Sequence, residues 1–428
     1  MKQGFFFSKR FFPLFWVQFL GAFNDNLFKN ALVMLITFRL AETPEQAGMM
    51  ITLAAGIFIL PFFLFSAFAG QLADKYEKSL LIRKIKLSEI LIMLLGAWGL
   101  WMQHIELLFA VLFLMGVQSA FFGPIKYSIL PEHLSDQHLL DGNGWFSAST
   151  FVAILIGTLA GGWVVLSDGG ETDLAIAVLC VALLGYVASR FVPEGSAGDA
   201  SLTVKWNLWR NTYHEMQLRH TYPQAFFAVL AISWFWFLGA TYLSQIPVLV
   251  ADVLHGDDKV VLLFLTVFSL GIGLGAWLAG RFQQPVRRIE NVRWLVAMLM
   301  GMSVLMVVAN LAMGQVDYRD HAIGVMDFIQ TPAGMMVLLS MGLVAALGGL
   351  FTVPLYTLLQ VRTPQSFRSR MVAVNNITNA LLMVLSSLLI MGLYALGWDL
   401  IAIFYTVALL NLVMAAWYWQ RSASLASG

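Results

Sequence analysis

Twelve apolar stretches of about twenty residues or more, each bounded by a short polar cluster, run the length of this sequence and exclude most water-soluble folds. They fall near 11–38, 47–72, 80–102, 105–130, 139–167 and 172–193, and then near 223–251, 258–282, 291–314, 333–359, 371–396 and 398–420. A chain that is 59% hydrophobic and 11% charged has more apolar surface than one water-facing globule buries, so lipid must be its main solvent. Segments this long satisfy their own backbone hydrogen bonds as helices, and the alternating segments of roughly ten residues that build a β-barrel are not seen. The expected fold is an all-α membrane protein of about twelve transmembrane helices in two six-helix bundles. Residues 1–193 form the first bundle, 194–222 a linker and 223–428 the second bundle.

The distribution of charge sets an expected orientation. With the N-terminus inside, the cytoplasmic side carries Lys2, Lys9, Arg10, Lys75, Lys78, Arg83, Lys84, Lys86, Arg190, Lys205, Arg210, Arg219, Arg281, Arg287, Arg288, Arg293, Arg362, Arg368, Arg370 and Arg421. The other side keeps Arg39, Lys259 and Arg319, with Lys29 and Lys126 inside spans. Twenty against three predicts cytoplasmic termini in a multi-pass membrane protein. The first stretch is too long for a secretory leader, holds Asp25 and Lys29, and lacks a small-residue cleavage site, so it reads as the first span. The single cysteine, Cys180, rules out an intrachain disulfide and a thiolate metal cluster, and a net charge of +1 gives no reason to expect nucleic acid. No cofactor or metal site is expected.

The halves echo each other. Gly123-Pro124-Ile125 late in the fourth span has a counterpart in Val353-Pro354-Leu355 late in the tenth, and Asn143 matches Asn375 and Asn376. The linker segment Trp206-Asn207-Leu208-Trp209-Arg210 mixes aromatic and basic residues as an interfacial connecting helix does. Between spans two and three, Gly70-Gln71-Leu72-Ala73-Asp74-Lys75-Tyr76-Glu77-Lys78 resembles the loop signature of the major facilitator superfamily, in which the acid latches the two bundles together. The resemblance assigns gating roles to Gly70, Asp74, Lys75 and Lys78. Glu77 stands where the signature has a second glycine, and Ala279 stands where the second half's loop would have an acid, so a looser latch is expected.

Ionisable residues inside spans cost about 2.5–3.5 kcal/mol each and mark functional paths. Gln18, Asp25 and Lys29 fall within roughly 40° of one another on the first helix, one polar stripe facing a cavity or the protein interior. Mutual neutralisation of Asp25 and Lys29, four residues apart, is the alternative. Lys126 follows Gly123 and Pro124, which let the fourth helix bend, and lies about 7 Å from that helix's end at 1.5 Å per residue. It either faces an anionic ligand or snorkels to the interface. Asn143 opens the fifth span, and in the second half Gln245, Tyr356 and Gln360, with Trp234, Trp236 and Tyr242, offer amphipathic walls, with lipid belt or helix core as the more common use of such aromatics.

These same residues carry a closer resemblance. Gln18 through Asn26, Gly123 through Leu130, and Gly142 through Thr150 running on to Gly161-Gly162 make the chain similar to the bacterial lysophospholipid transporter (LplT) family of the major facilitator superfamily. The resemblance implies a flippase that moves lysophospholipids such as lysophosphatidylethanolamine from the outer to the inner leaflet for re-acylation. It makes Asp25 and Lys126 the first candidates for the headgroup site, with Lys29, Gln18, Asn143, Tyr356 and Gln245 behind them. Some relatives are fused to an acyltransferase and an acyl-carrier-protein synthetase. None of the seven histidines here is followed five positions later by Asp, so the His-x4-Asp acyltransferase signature is missing. The chain is expected to be a monomeric transporter in contact with membrane lipids, not an enzyme, and re-acylation is expected from a separate protein. An exporter of amphipathic drugs or other small solutes fits the same fold, and a non-transporting scaffold for acyltransferases is the alternative of a different class.

Overall fold

The computed structural model describes residues 4–281, 292–316 and 321–426. Lys2, Arg287, Arg288 and Arg319 lie outside the described residues. Twelve long helices dominate: α1 (Phe12–Leu35), α2 (Pro44–Lys75), α3 (Lys78–Met102), α4 (Ile105–Ser128), α5 (Asp136–Leu166) and α6 (Gly170–Arg190) in the first bundle. The second bundle contains α7 (Pro223–Val248), α8 (Asp258–Ala279), α9 (Val292–Met313), α10 (Pro332–Val361), α11 (Arg368–Ala395) and α12 (Leu400–Ala426). Ten of them are long and apolar enough to cross a membrane by length and composition alone. The other two, α1 and α3, carry the interior charges Asp25, Lys29, Lys86 and Glu89, and these lower their hydropathy.

Local chemistry sets the ends of these helices. Proline in the first turn starts α1, α2, α7 and α10, where the missing N–H costs nothing. The Thr43 hydroxyl accepts from Gln46 N at 3.2 Å at the start of α2, and the Asp257 carboxylate accepts from Val260 N at 3.0 Å before α8. Glu77 caps α3 by accepting from Ser79 N at 2.8 Å and Leu80 N at 2.7 Å, so the residue that departs from the loop signature has a helix-starting role. Inside the bundles, glycines bring backbones together where lipid supplies no hydrophobic drive. A side chain at Gly157 would sit 2.6 Å from the Phe23 carbonyl, which locks α5 onto α1, and one at Gly271 would sit 2.7 Å from the Gly342 carbonyl between α8 and α10.

Short connections make sequential helices antiparallel, so one face of the molecule holds the start of α1, the α2–α3, α4–α5 and α10–α11 connections and the end of α8. Lys75, Lys78, Arg281, Arg362, Arg368 and Arg370 cluster there, and it is called the basic face below. Lys86 is a correction to the charge tally. It lies two turns inside α3, wholly inaccessible, and belongs to the helix interior instead of to a loop.

Between the bundles, residues 194–207 lead into a helix, Leu208–Met216, whose Trp209 and Tyr213 are exposed while Asn211 and Glu215 are buried. This is the amphipathic arrangement that its sequence predicts. The segment is tied down by Gly195 N donating to Glu77 at 3.0 Å, Asp199 N to the Asp74 carbonyl at 2.8 Å, Lys205 N to Gln71 at 3.2 Å and Gln71 Nε2 to Glu215 at 2.7 Å. Burial raises the Glu77 carboxyl, but the N–H donors of Gly195, Ser79 and Leu80 outweigh it and hold the group below its ordinary value. Burial pushes the Glu215 carboxyl up, and the Gln71 amide offsets part of that.

Candidate functional site

At the basic face the bundles are bolted together. Asp74 Oδ1 accepts from Ser369 N at 2.9 Å, and Oδ2 accepts from Arg370 N at 3.1 Å and Arg370 Nε at 3.2 Å. Gly70 permits this approach, because a Cβ there would stand 2.8 Å from Ala373 Cβ. Asn143 Nδ2 donates to Gln360 Oε1 at 2.6 Å and to Thr357 at 2.9 Å, while Gln360 Nε2 donates to the Tyr127 carbonyl at 2.7 Å. Ser369 and Ser128 hydroxyls meet at 2.9 Å, and the Tyr127 and Tyr356 rings stack with centroids 4.0 Å apart. Lys78 pairs with Glu132 at 2.6 Å within the first bundle, and Lys75 lies over the Tyr76 ring. The hydrogen bonds seen between the two bundles among the described residues all lie at this face.

Beyond that seal, a cavity of about 530 Å³ separates the bundles. Its floor includes Tyr127, Phe151 and Tyr356, and its lining climbs past Phe58 and Phe62 to Ile51 and Val33 near the opposite face. Gln18, Asp25, Lys29 and Lys126 all line it, so the polar stripe of α1 and the cation of α4 meet one space. Asp25 Oδ2 accepts from the Ser119 hydroxyl at 2.6 Å. No direct ion pair joins Asp25 to Lys29, whose ammonium lies 5.4 Å from the Phe58 ring centre, though the two charges stay close enough to attract each other. Lys126 does not snorkel. Its Nζ donates to Thr150 Oγ1 at 2.9 Å, and Gln18 Nε2 donates to the same hydroxyl at 2.7 Å. Pro124 is interior to α4, and Gly123 makes room for the amide of Asn376, which a Cβ at 123 would overlap.

Two candidates lie elsewhere. Asn143 belongs to the seal at the basic face, because the start of α5 lies below the cavity floor. Gln245, near the far end of α7, accepts from the Tyr394 hydroxyl at 2.8 Å within its own bundle. Tyr356 lines the cavity as expected.

The sequence reading missed a buried network behind the α1 wall. Lys86 Nζ reaches Glu89 Oε2 at 2.6 Å, and Glu89 also accepts from Asn24 Nδ2 at 3.0 Å and Gln118 Nε2 at 3.1 Å. Lys86 is 0% and Glu89 3% exposed, so the pair is desolvated and depends on these extra donors. An acid three residues from a base inside an apolar run is the signal that could have found it. The second bundle contributes a neutral wall: Trp236, Thr352, Tyr356, Asn376 and Asn379. Ser233 Oγ donates to Asn379 Oδ1 at 2.7 Å, yet Asn376 Nδ2 has no hydrogen-bond partner and Trp236 Nε1 makes only a loose contact with the Tyr356 hydroxyl. Leaving such a donor unpaired costs about 1–3 kcal/mol.

The lining therefore offers Lys126 and Lys29 against Asp25, with Lys86 already neutralised by Glu89, beside a long apolar path. That combination accommodates a molecule with an anionic group, a cationic group and a hydrocarbon chain. Among the described residues no cluster of three or more metal-ligating side chains occurs.

Comparison with known proteins gives a consistent picture. The Major Facilitator Superfamily matches residues 14–318. The lysophospholipid transporter LplT of Photorhabdus laumondii is 30% identical over 419 residues, covering 94% of each chain. Its namesake in Serratia proteamaculans is 29% identical over 399 residues, covering 91% of this chain and 89% of that one. Among solved structures, the proton:xylose symporter XylE superposes with a TM-score of 0.71 at 12% identity, over 96% of both chains. The fucose transporter FucP in its outward conformation gives 0.70 at 14% identity, over 96% of this chain and 98% of that one. At such identity the structures establish the fold alone.

Proposed function

The chain belongs to the Major Facilitator Superfamily and, within it, to the lysophospholipid transporter (LplT) family, and from that premise we propose that it carries lysophospholipids across the bilayer by alternating access. One observation carries the reading beyond the family: Asp25 and Lys126 line a single cavity whose remaining surface is largely apolar. A lysophospholipid headgroup fits that pairing, its phosphate at Lys126 and its amine at Asp25, with the single acyl chain along Phe58, Phe62 and Val33. Lys29 and Gln18 extend the polar stripe, and Tyr356 closes the floor. Desolvation makes each charge contact stronger than it is in water.

Residues 1–193 and 223–428 then rock about this cavity, with 194–222 as their tether. Asp74, supported by Gly70, Lys75 and Lys78, serves as the latch. Asn143 and Gln360 reinforce it, and Gly123 with Pro124 supplies the bend in α4. The positive-inside rule supports placing the basic face in the cytoplasm and the protein in a bacterial inner membrane. Substrate would enter from the opposite side and leave toward the basic face, where a separate acyltransferase restores the second chain. The protein acts as a monomeric carrier.

The test is uptake of labelled lysophosphatidylethanolamine into proteoliposomes. Lys126→Ala is expected to lower uptake by about tenfold or more at equal protein abundance, the loss of one charge-assisted contact. Unchanged uptake would remove Lys126 from the headgroup role.

A further inference from the structure

The charged wall accounts for a phosphate and an amine, but those groups are shared by lysophospholipids and ordinary diacyl phospholipids. What distinguishes the former is a free glycerol hydroxyl, a few bonds from the phosphate. The neutral wall holds donors that the protein leaves short of a well-formed hydrogen bond. Asn376 Nδ2 is without a partner and Trp236 Nε1 makes only a loose contact with the Tyr356 hydroxyl, and both residues line the cavity. The Asn376 amide lies directly against Gly123 of the facing helix, in space that any side chain at 123 would occupy. Lys126 is one turn further along that helix, about 5–6 Å away on the same side. A cation for phosphate and an uncharged amide thus approach one stretch of α4, both lining the same cavity.

We infer that Asn376, with Trp236, reads the free glycerol hydroxyl and so selects lysophospholipids over molecules that lack it. This rests on the lysophospholipid reading and adds the basis of its selectivity. An amide suits the task because a hydroxyl both donates and accepts, and Asn can answer in both senses. A charged residue would hold a second phosphate or repel the headgroup instead. Sites built to hydrogen-bond a hydroxyl discriminate strongly against analogues without one, since their own polar groups are then left buried and unpaired.

The experiment compares binding of lysophosphatidylethanolamine with its deoxy analogue, in which hydrogen replaces the glycerol hydroxyl, to the purified full-length chain in lipid nanodiscs. The native protein is expected to favour the hydroxyl-bearing lipid by about tenfold or more, and Asn376→Leu to bring that ratio close to one. Lys126→Ala should weaken both lipids while preserving the ratio. If Asn376→Leu does not accumulate, Trp236→Phe removes the indole donor while keeping a ring beside Phe151, and it should lower the ratio as well. A native protein that binds both lipids equally, or variants that keep the native ratio, would overturn the inference. Binding of neither lipid by the native protein would overturn the lysophospholipid reading on which it rests.

Discussion

The two bundles present opposite chemistries to one cavity. Helices α1, α3 and α4 supply Asp25, Lys29, Lys86 and Lys126, whereas α7, α10 and α11 supply indole, phenol, amide and hydroxyl groups and no charge. The backbones still echo each other, with an interior proline late in both α4 and α10, so the divergence lies in side chains. A fold built from two similar bundles can divide its labour: one wall attracts the charged headgroup, and the other measures its shape. The basic face is equally one-sided, because Asp74 lies in the last turn of α2 while Ala279 ends α8.

The sharpest way to break this contrast is to remove a charge from the charged wall. Glu89→Ala leaves Lys86 buried and unpaired, which is expected to cost about 3–5 kcal/mol. It should appear as a large fall in thermal unfolding temperature and in the yield of monodisperse protein. The double change Lys86→Met with Glu89→Leu removes both charges and should recover part of that stability, since no charge is left buried while Asn24 and Gln118 lose their acceptor. A single variant as stable as the native protein would mean that water reaches Lys86 and that the charged wall is not preorganised.

Next in size is the latch. Asp74→Asn weakens the contacts to Arg370 and the Ser369 backbone by about 1.5–3 kcal/mol, and the expected result is a shift toward conformations open at the basic face. Ser128 is fully buried in the seal, so a Ser128→Cys reporter in a Cys180→Ser background reads the shift as faster thiol labelling, by about tenfold. Equal labelling rates with and without Asp74 would show that Asn143, Gln360 and the linker hold the seal unaided.

Much of this was legible in the sequence because charge in an apolar run is conspicuous. Asp25, Lys29 and Lys126 stand out by their cost in lipid, and the helical angle placed Gln18 with them. Lys86 escaped because it follows Arg83 and Lys84 within a few residues and so blended into a basic loop, although Glu89 three residues on was the signal that sets it apart. Asn143 is a substrate candidate by family resemblance alone, and a motif match gives no depth relative to a cavity floor. Trp236 was noted only as an amphipathic wall, and Asn376 only as a symmetry echo. A neutral polar residue in a membrane helix carries little penalty, and whether its donor is paired depends on neighbours far away in sequence.

The smallest expected effect tests the neutral wall itself. Tyr356→Phe deletes one hydroxyl but keeps the ring that stacks on Tyr127 at 4.0 Å, so the seal at the floor should hold. The Trp236 indole and the Asn376 amide remain in place, and in this reading they, and not the phenol, contact the substrate hydroxyl. The expected change is under about 1 kcal/mol, which is less than roughly fivefold in the KM for lysolipid uptake. A loss as large as that of Lys126→Ala would mean that a neutral phenol holds the headgroup as strongly as an ammonium does. The division between a wall that attracts and a wall that measures would then fail, and Tyr356 would take its place beside Lys126 in the headgroup site.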